Sequence, residues 1–107
     1  VRRGRRKYNN VPRAGFDSGL EYGVGLELQA DPSVEYIERQ VKYVLIPSQR
    51  GICGKVVERP CTYKADFRVT YKDGRVEVID AKGFRTQEYI IKRKLMLFVH
   101  GIRVIER

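Results

Sequence analysis

Residues 61–83, C-T-Y-K-A-D-F-R-V-T-Y-K-D-G-R-V-E-V-I-D-A-K-G, hold the densest structural signal in the chain. Cys61 to Tyr71 alternates apolar and polar side chains, the period of a half-buried strand. Lys72-Asp73-Gly74 is a hairpin turn signal, and Arg75 to Ala81 resumes the strand. The two strands are therefore expected to pair antiparallel, with the turn at Asp73–Gly74 placing Asp66 opposite residue 81. A shift of one residue brings Asp66 to the 80–82 segment. On the second strand Asp80 and Lys82 are two apart, so they share a face. Aspartate is depleted in strands. Two in facing strands beside a lysine call for a reason.

The rest of the chain arranges itself around this hairpin. Lys82 to Arg85 is a loop, Thr86 can N-cap a helix from Gln87 to about Val99, and Gly101 suits its C-cap. The second half of that helix is apolar nearly all round, which predicts burial on several sides. Ile102 to Glu106 is a last strand. Strand, helix and strand form a β-α-β unit, which predicts a parallel pair. Upstream, Ser18-Gly19-Leu20-Glu21 has the form of a capping box, and Leu20, Val24 and Leu28 recur at helical spacing. Gly19, Gly23 and Gly25 weaken this helix, and Asp31–Pro32 should end it. Glu35 to Pro47 has strand composition, and Ser48 to Arg59, with Gly51 and Gly54, reads as a loop or hairpin. The order is α-β-β-β-α-β in an α/β domain with a mixed sheet.

At 107 residues there is room for one core and not for two. Hydrophobic residues make up 42% of the chain, enough to build that core. Lys and Arg number 22 against 13 Asp and Glu, leaving +9, and so strong a bias points to an anionic partner, nucleic acid before membrane. Six of the basic residues, Arg2, Arg3, Arg5, Arg6, Lys7 and Arg13, fall in the first thirteen positions with no acid among them. Residues 1–15 are accordingly expected to be a flexible basic arm, either a phosphate-binding element or a solvated tail, and residues 16–107 the folded domain. No apolar run is long enough to span a bilayer, and no apolar segment follows the basic start as a secretory signal requires. Cys53 and Cys61 form no C-x-x-C pair and cannot complete a zinc site with the single His100, so free thiols in a reducing cytoplasm are expected. His100, just before Gly101, reads as an ordinary helix-terminal histidine.

Asp66, Asp80 and Lys82 carry the chemistry. Converging carboxylates in hydrophobic strands are costly to bury unless a cation compensates them, and all-oxygen ligation suits Mg²⁺. Singly, Asp66 reads equally as an outward strand residue and Asp80–Lys82 as a surface ion pair. Together they make a site.

Asp66 followed by Asp80-x-Lys82 on a hairpin resembles the signature of the PD-(D/E)xK nucleases, and the α-β-β-β-α-β order is similar to their restriction-endonuclease-like core. The chain further resembles a small phage and prophage family of such proteins over residues 7–106. The resemblance lies in Phe16-Asp17-Ser18 with Glu21, Tyr63 to Phe67, and Asp80 to Phe84 with Thr86, Tyr89, Lys92 and Lys94. Ala65 stands where the name of the signature has proline, a position that is no ligand.

The resemblance implies that Asp66 and Asp80 bind Mg²⁺, with Mn²⁺ able to substitute, and that the Ala81 carbonyl is a further ligand. It implies that Lys82 positions the attacking water. Glu21 would be an added acidic site residue; alternatively it only closes the capping box. Lys92 would contact phosphate; alternatively Lys92-Arg93-Lys94 is a solvated stripe. The implied activity is a metal-dependent DNA endonuclease acting on branched DNA, similar to Holliday-junction resolvases and therefore homodimeric, in the cytoplasm of a bacterial host. The alternatives are a catalytically idle DNA-binding module of the same fold, and an RNA-binding protein, for which the aromatic pattern is missing.

Overall fold

The computed structural model of the protein describes residues 19–107. The basic arm, with Arg2, Arg3, Arg5, Arg6, Lys7 and Arg13, and the Ser18 cap lie outside the described residues.

The elements run α1 (Gly19–Ala30), β1 (Val34–Ile46), β2 (Gln49–Arg50), β3 (Val56–Glu58), β4 (Cys61–Tyr71), β5 (Val76–Asp80), α2 (Gln87–His100) and β6 (Ile105–Glu106). The main sheet is ordered β1-β4-β5-β6, and β2 and β3 form a separate two-stranded ribbon. β1 and β5 both pair antiparallel with β4, while β5 and β6 are parallel, as the β-α-β unit requires. This is an α/β domain on a mixed four-stranded sheet.

Local chemistry sets the boundaries. The β4–β5 turn closes with Gly74 at φ 92°, a conformation that favours glycine. Thr86 Oγ1 accepts the Tyr89 N–H at 3.1 Å and starts α2. Gly101, at φ 69°, ends the helix: its N–H donates to the Leu97 carbonyl at 3.0 Å, and the Ile102 N–H donates to the Met96 carbonyl at 3.2 Å. Just before it, His100 Nε2 donates to the Val44 carbonyl at 2.7 Å and the ring lies near Tyr43, so it anchors the end of α2 to β1.

Three expectations need correction. The β4–β5 register runs through Phe67–Ile79, Arg68–Val78 and Thr70–Val76, so Asp66 falls in line with Asp80 rather than with Ala81. The turn is one residue longer than the sequence suggested: Tyr71 N–H donates to the Arg75 carbonyl at 2.8 Å, leaving residues 72–74 in the loop. Second, α2 is not buried on several sides: Tyr89 and Met96 are buried, while Ile91, Leu97, Phe98 and Val99 are exposed. Its apolar residues exceed what one sheet can cover. Third, α1 buries Glu21, Val24, Gly25 and Leu28, while Leu20 is exposed. A carboxylate takes the place in the helical stripe that hydropathy gave to leucine.

Every second residue of β4, from Tyr63 to Tyr71, is buried, yet these side chains serve two clusters. Phe67, Val69 and Tyr71 pack with Val24 and Leu28 of α1 and with Ile37 and Ile79. Tyr63 and Ala65 pack with Tyr89 and Met96 of α2, and with Leu45, Val78 and Val104. The division falls at Asp66. On the neighbouring strand, Gln40 lies between the Arg39–Phe67 and Val41–Ala65 pairs and takes φ 55°. A left-handed glutamine in mid-strand interrupts the pleat and costs roughly 1–3 kcal/mol.

Candidate active site

The break between the two cores opens a cavity of about 430 Å³. Glu21 from α1, Asp66 from β4, Asp80, Ala81 and Lys82 from the end of β5, and Lys92 from α2 all line it. The sequence-expected residues within the described part therefore meet in one place.

Backbone bonds on both sides fix the 80–82 segment. The Ala81 N–H donates to Asp66 Oδ2 at 2.9 Å. On the other edge Arg107 N–H donates to the Asp80 carbonyl and Lys82 N–H donates to the Arg107 carbonyl. Asp80 is 3% exposed. Its Oδ2 accepts the Tyr63 hydroxyl at 2.5 Å and its Oδ1 lies 3.7 Å from Lys82 Nζ. Burial, followed by the neighbouring Asp80 carboxyl, pushes the Asp66 carboxyl up to about 8, against the Ala81 N–H, which favours its charged form. Burial and the Asp80 carboxylate likewise raise the Tyr63 hydroxyl, which stays a donor.

Lys82 Nζ sits 4.2 Å from the centre of the Tyr89 ring, so the ammonium is held by a π face as well as by Asp80. Lys92 Nζ pairs with Glu88 across one helical turn at 3.0 Å and is partly covered rather than freely solvated. Glu21 is 3% exposed, with Oε2 accepting from Arg39 Nη2 at 2.7 Å and Gln40 Nε2 at 2.8 Å. It faces the cavity, and its charge contributes to raising Asp66. It does not join Asp66 and Asp80 in a compact ligand cluster: among the described residues no three His, Cys, Asp or Glu side chains are grouped to hold an ion. The donors that do converge, two carboxylates beside the Ala81 backbone, are all oxygen and suit a hard divalent cation that keeps several of its waters.

Sequence reasoning left Tyr63, Tyr89, Arg39 and Gln40 without roles. Tyr63 had a readable signal, since it lies on the strand of Asp66 at a core-facing position. Gln40 had none. Cys53 and Cys61 are free thiols, as expected. No helix among the described residues is long and apolar enough to cross a membrane.

Fold and site together define an α/β domain with an acid-lysine cavity at the open end of an antiparallel hairpin. Residues 7–102 match the family described as protein of unknown function (DUF1064), and the chain belongs to that family. No curated protein and no solved structure matches it.

Proposed function

We propose that the protein is a PD-(D/E)xK-type, divalent-metal-dependent DNA endonuclease with a restriction-endonuclease-like core. The observation that carries this reading is the meeting of Asp66, Asp80 and Lys82 in one cavity of a chain with net charge +9. A binding protein gains nothing from two converging acids, one of them buried, facing phosphate.

Asp66 and Asp80, with the Ala81 carbonyl, would hold Mg²⁺ or Mn²⁺. The ion's contribution would be to neutralise charge on the scissile phosphate. Tyr63 and the Ala81 N–H each engage one oxygen of their carboxylate, which orients the remaining oxygens. Lys82 sits where it can orient the attacking water and stabilise charge that develops during in-line attack. Lys92, on the cavity wall, provides a contact for a neighbouring phosphate. In so small a domain selectivity falls on DNA shape, including branches and four-way junctions, rather than on base sequence. A four-way junction offers two symmetric cut sites, so a homodimer suits it. A bacterial cytoplasm, as host to a phage or prophage gene, is the matching compartment.

The test is single-turnover cleavage of labelled linear, flapped, forked and four-way DNA with and without Mg²⁺, beside metal-free gel shifts. Lys82→Ala and Asp80→Asn should each lower cleavage by about 10²–10³ while leaving affinity nearly intact. Unchanged cleavage would place the active site elsewhere. Parallel loss of binding and cleavage, or no cleavage by the unmodified chain of DNA it does bind, would favour the idle DNA-binding module.

A further inference from the structure

The ribbon formed by β2 and β3 contributes nothing to the core. Every residue from Pro47 to Pro60 is exposed except Gly51, which is half-buried. Ile52 at its tip is fully exposed, and Val56 and Val57 are exposed beside it. The ribbon is nevertheless built to hold its shape. Gly51 N–H donates to the Lys55 carbonyl at 2.9 Å, and Gly54, at φ 84°, donates to the Gly51 carbonyl at 3.0 Å. Arg50 Nη1 caps the turn on the Gly54 carbonyl at 2.7 Å. A projection held in shape by these bonds gains no stability from the isoleucine and valines it shows to solvent, so only a partner would cover them.

Its charge selects the occupant. Arg50, Lys55 and Arg59 stand against the single acid Glu58, and Lys55 and Arg59 form no ion pair among the described residues. A second copy of the same ribbon would set Arg50, Lys55 and Arg59 against their own counterparts, like charge against like. A polyanion fits. A two-stranded ribbon has the width of a DNA groove, and isoleucine is among the side chains used as wedges between bases. The base of the ribbon is joined to the cavity by one strand. β4 carries Asp66 and starts at Cys61, directly after the ribbon. Five residues of strand span about 17 Å at about 3.4 Å each, half of the roughly 34 Å of one duplex turn.

We infer that the ribbon, residues 49–59, is a second DNA-binding element, which enters a groove with Lys55 and Arg59 on the phosphates and Ile52 against the bases. This rests on the DNA partner of the reading above, and not on cleavage.

Two variants separate its charged and apolar parts in metal-free binding to a duplex of about three turns. Replacing Lys55 and Arg59 together by Ala, which keeps the Arg50 bond across the turn, should make the slope of log K against log salt shallower by about 1.8, two phosphates at about 0.9 each. Ile52→Ser should weaken binding about tenfold, the low end of what burying an isoleucine supplies, with the slope unchanged. In a Cys61→Ser background, duplex should slow maleimide modification of the exposed Cys53 at the ribbon tip at least about fivefold, as a groove-bound tip is shielded. Unchanged slope, affinity and thiol reactivity would overturn the ribbon's role and leave its apolar tip to a protein partner. If all three effects appear in a chain that cuts no DNA, the ribbon inference stands and the nuclease reading falls. A chain that binds no duplex overturns both.

Discussion

The hydroxyl of Tyr63, on β4, donates a 2.5 Å hydrogen bond to Oδ2 of Asp80, at the end of β5. Both side chains are buried, and the bond joins the α2-side core to the acid at the centre of the cavity. It leaves Oδ1 of Asp80 as the oxygen nearer Lys82. A residue that packs as core thus also orients the site.

Tyr63→Phe keeps the ring and removes the donor. A buried carboxylate that loses a hydrogen-bond partner costs about 1–3 kcal/mol. Urea unfolding should report a loss of that size, with the slope against denaturant unchanged. A loss well below 1 kcal/mol would mean that water replaces the hydroxyl and that Asp80 is oriented by other groups.

The Asp66 carboxyl, raised from its ordinary 3.8 to about 8, fixes the sign of a pH effect. A folded-state carboxyl raised above its unfolded value holds its proton better when folded. In the ion-free protein its contribution to stability is therefore full below about pH 4 and declines as pH rises from about 4 to about 8. Urea midpoints in chelator should fall across that window. Asp66→Asn should flatten the fall, and apparent Mg²⁺ affinity should rise with pH as the ion displaces the proton. Midpoints that climb from pH 5 to 8 in wild type but not in Asp66→Asn would reverse the sign and refute the account.

Glu106 should act at the other end of the scale. Arg85, Tyr89 and Arg93 all donate to its carboxylate, which is lowered to about 2 from 4.5. Its contribution is present above about pH 4.5 and is lost as pH falls toward 2. Glu106→Gln should flatten the acid limb of the stability profile and loosen the loop after β5, which Arg85 ties to β6. Hydrogen exchange of the 82–86 amides is the direct readout, and protection equal to wild type would count against that tie.

Gln40 offers a test of stored strain. In an ordinary strand glycine is worse than alanine by roughly 0.5–1 kcal/mol. At φ 55° the order should invert, because the left-handed region costs a residue with a Cβ about 1–2 kcal/mol. Both substitutions lose the bond to Glu21, so that loss cancels in the comparison. Gln40→Gly should be more stable than Gln40→Ala by about 1 kcal/mol. The usual strand order would show that the backbone at this position relaxes.

Much of this architecture follows from local chemistry and is legible without coordinates. The alternation of Tyr63 to Tyr71, the turn at Asp73–Gly74, the Thr86 cap and the Gly101 stop each act within a few residues, so β4, β5 and α2 stand where the sequence places them. The approach of Asp66 to Asp80 follows from that hairpin, because antiparallel pairing turns sequence distance from the turn into spatial proximity.

Long-range compensation is decided only by tertiary structure. Glu21 is buried because Arg39 and Gln40 reach it from β1, eighteen and nineteen residues later, and no local pattern announces that pairing. The one-residue register at Asp80 depends on the turn taking three residues, 72–74, rather than two. The exposed face of α2 depends on how much apolar surface the sheet can cover. The cavity exists because the alternating side chains of a single strand divide between two cores at Asp66, beside a left-handed Gln40. A side-chain period states which residues turn inward, but packing alone decides what they meet there.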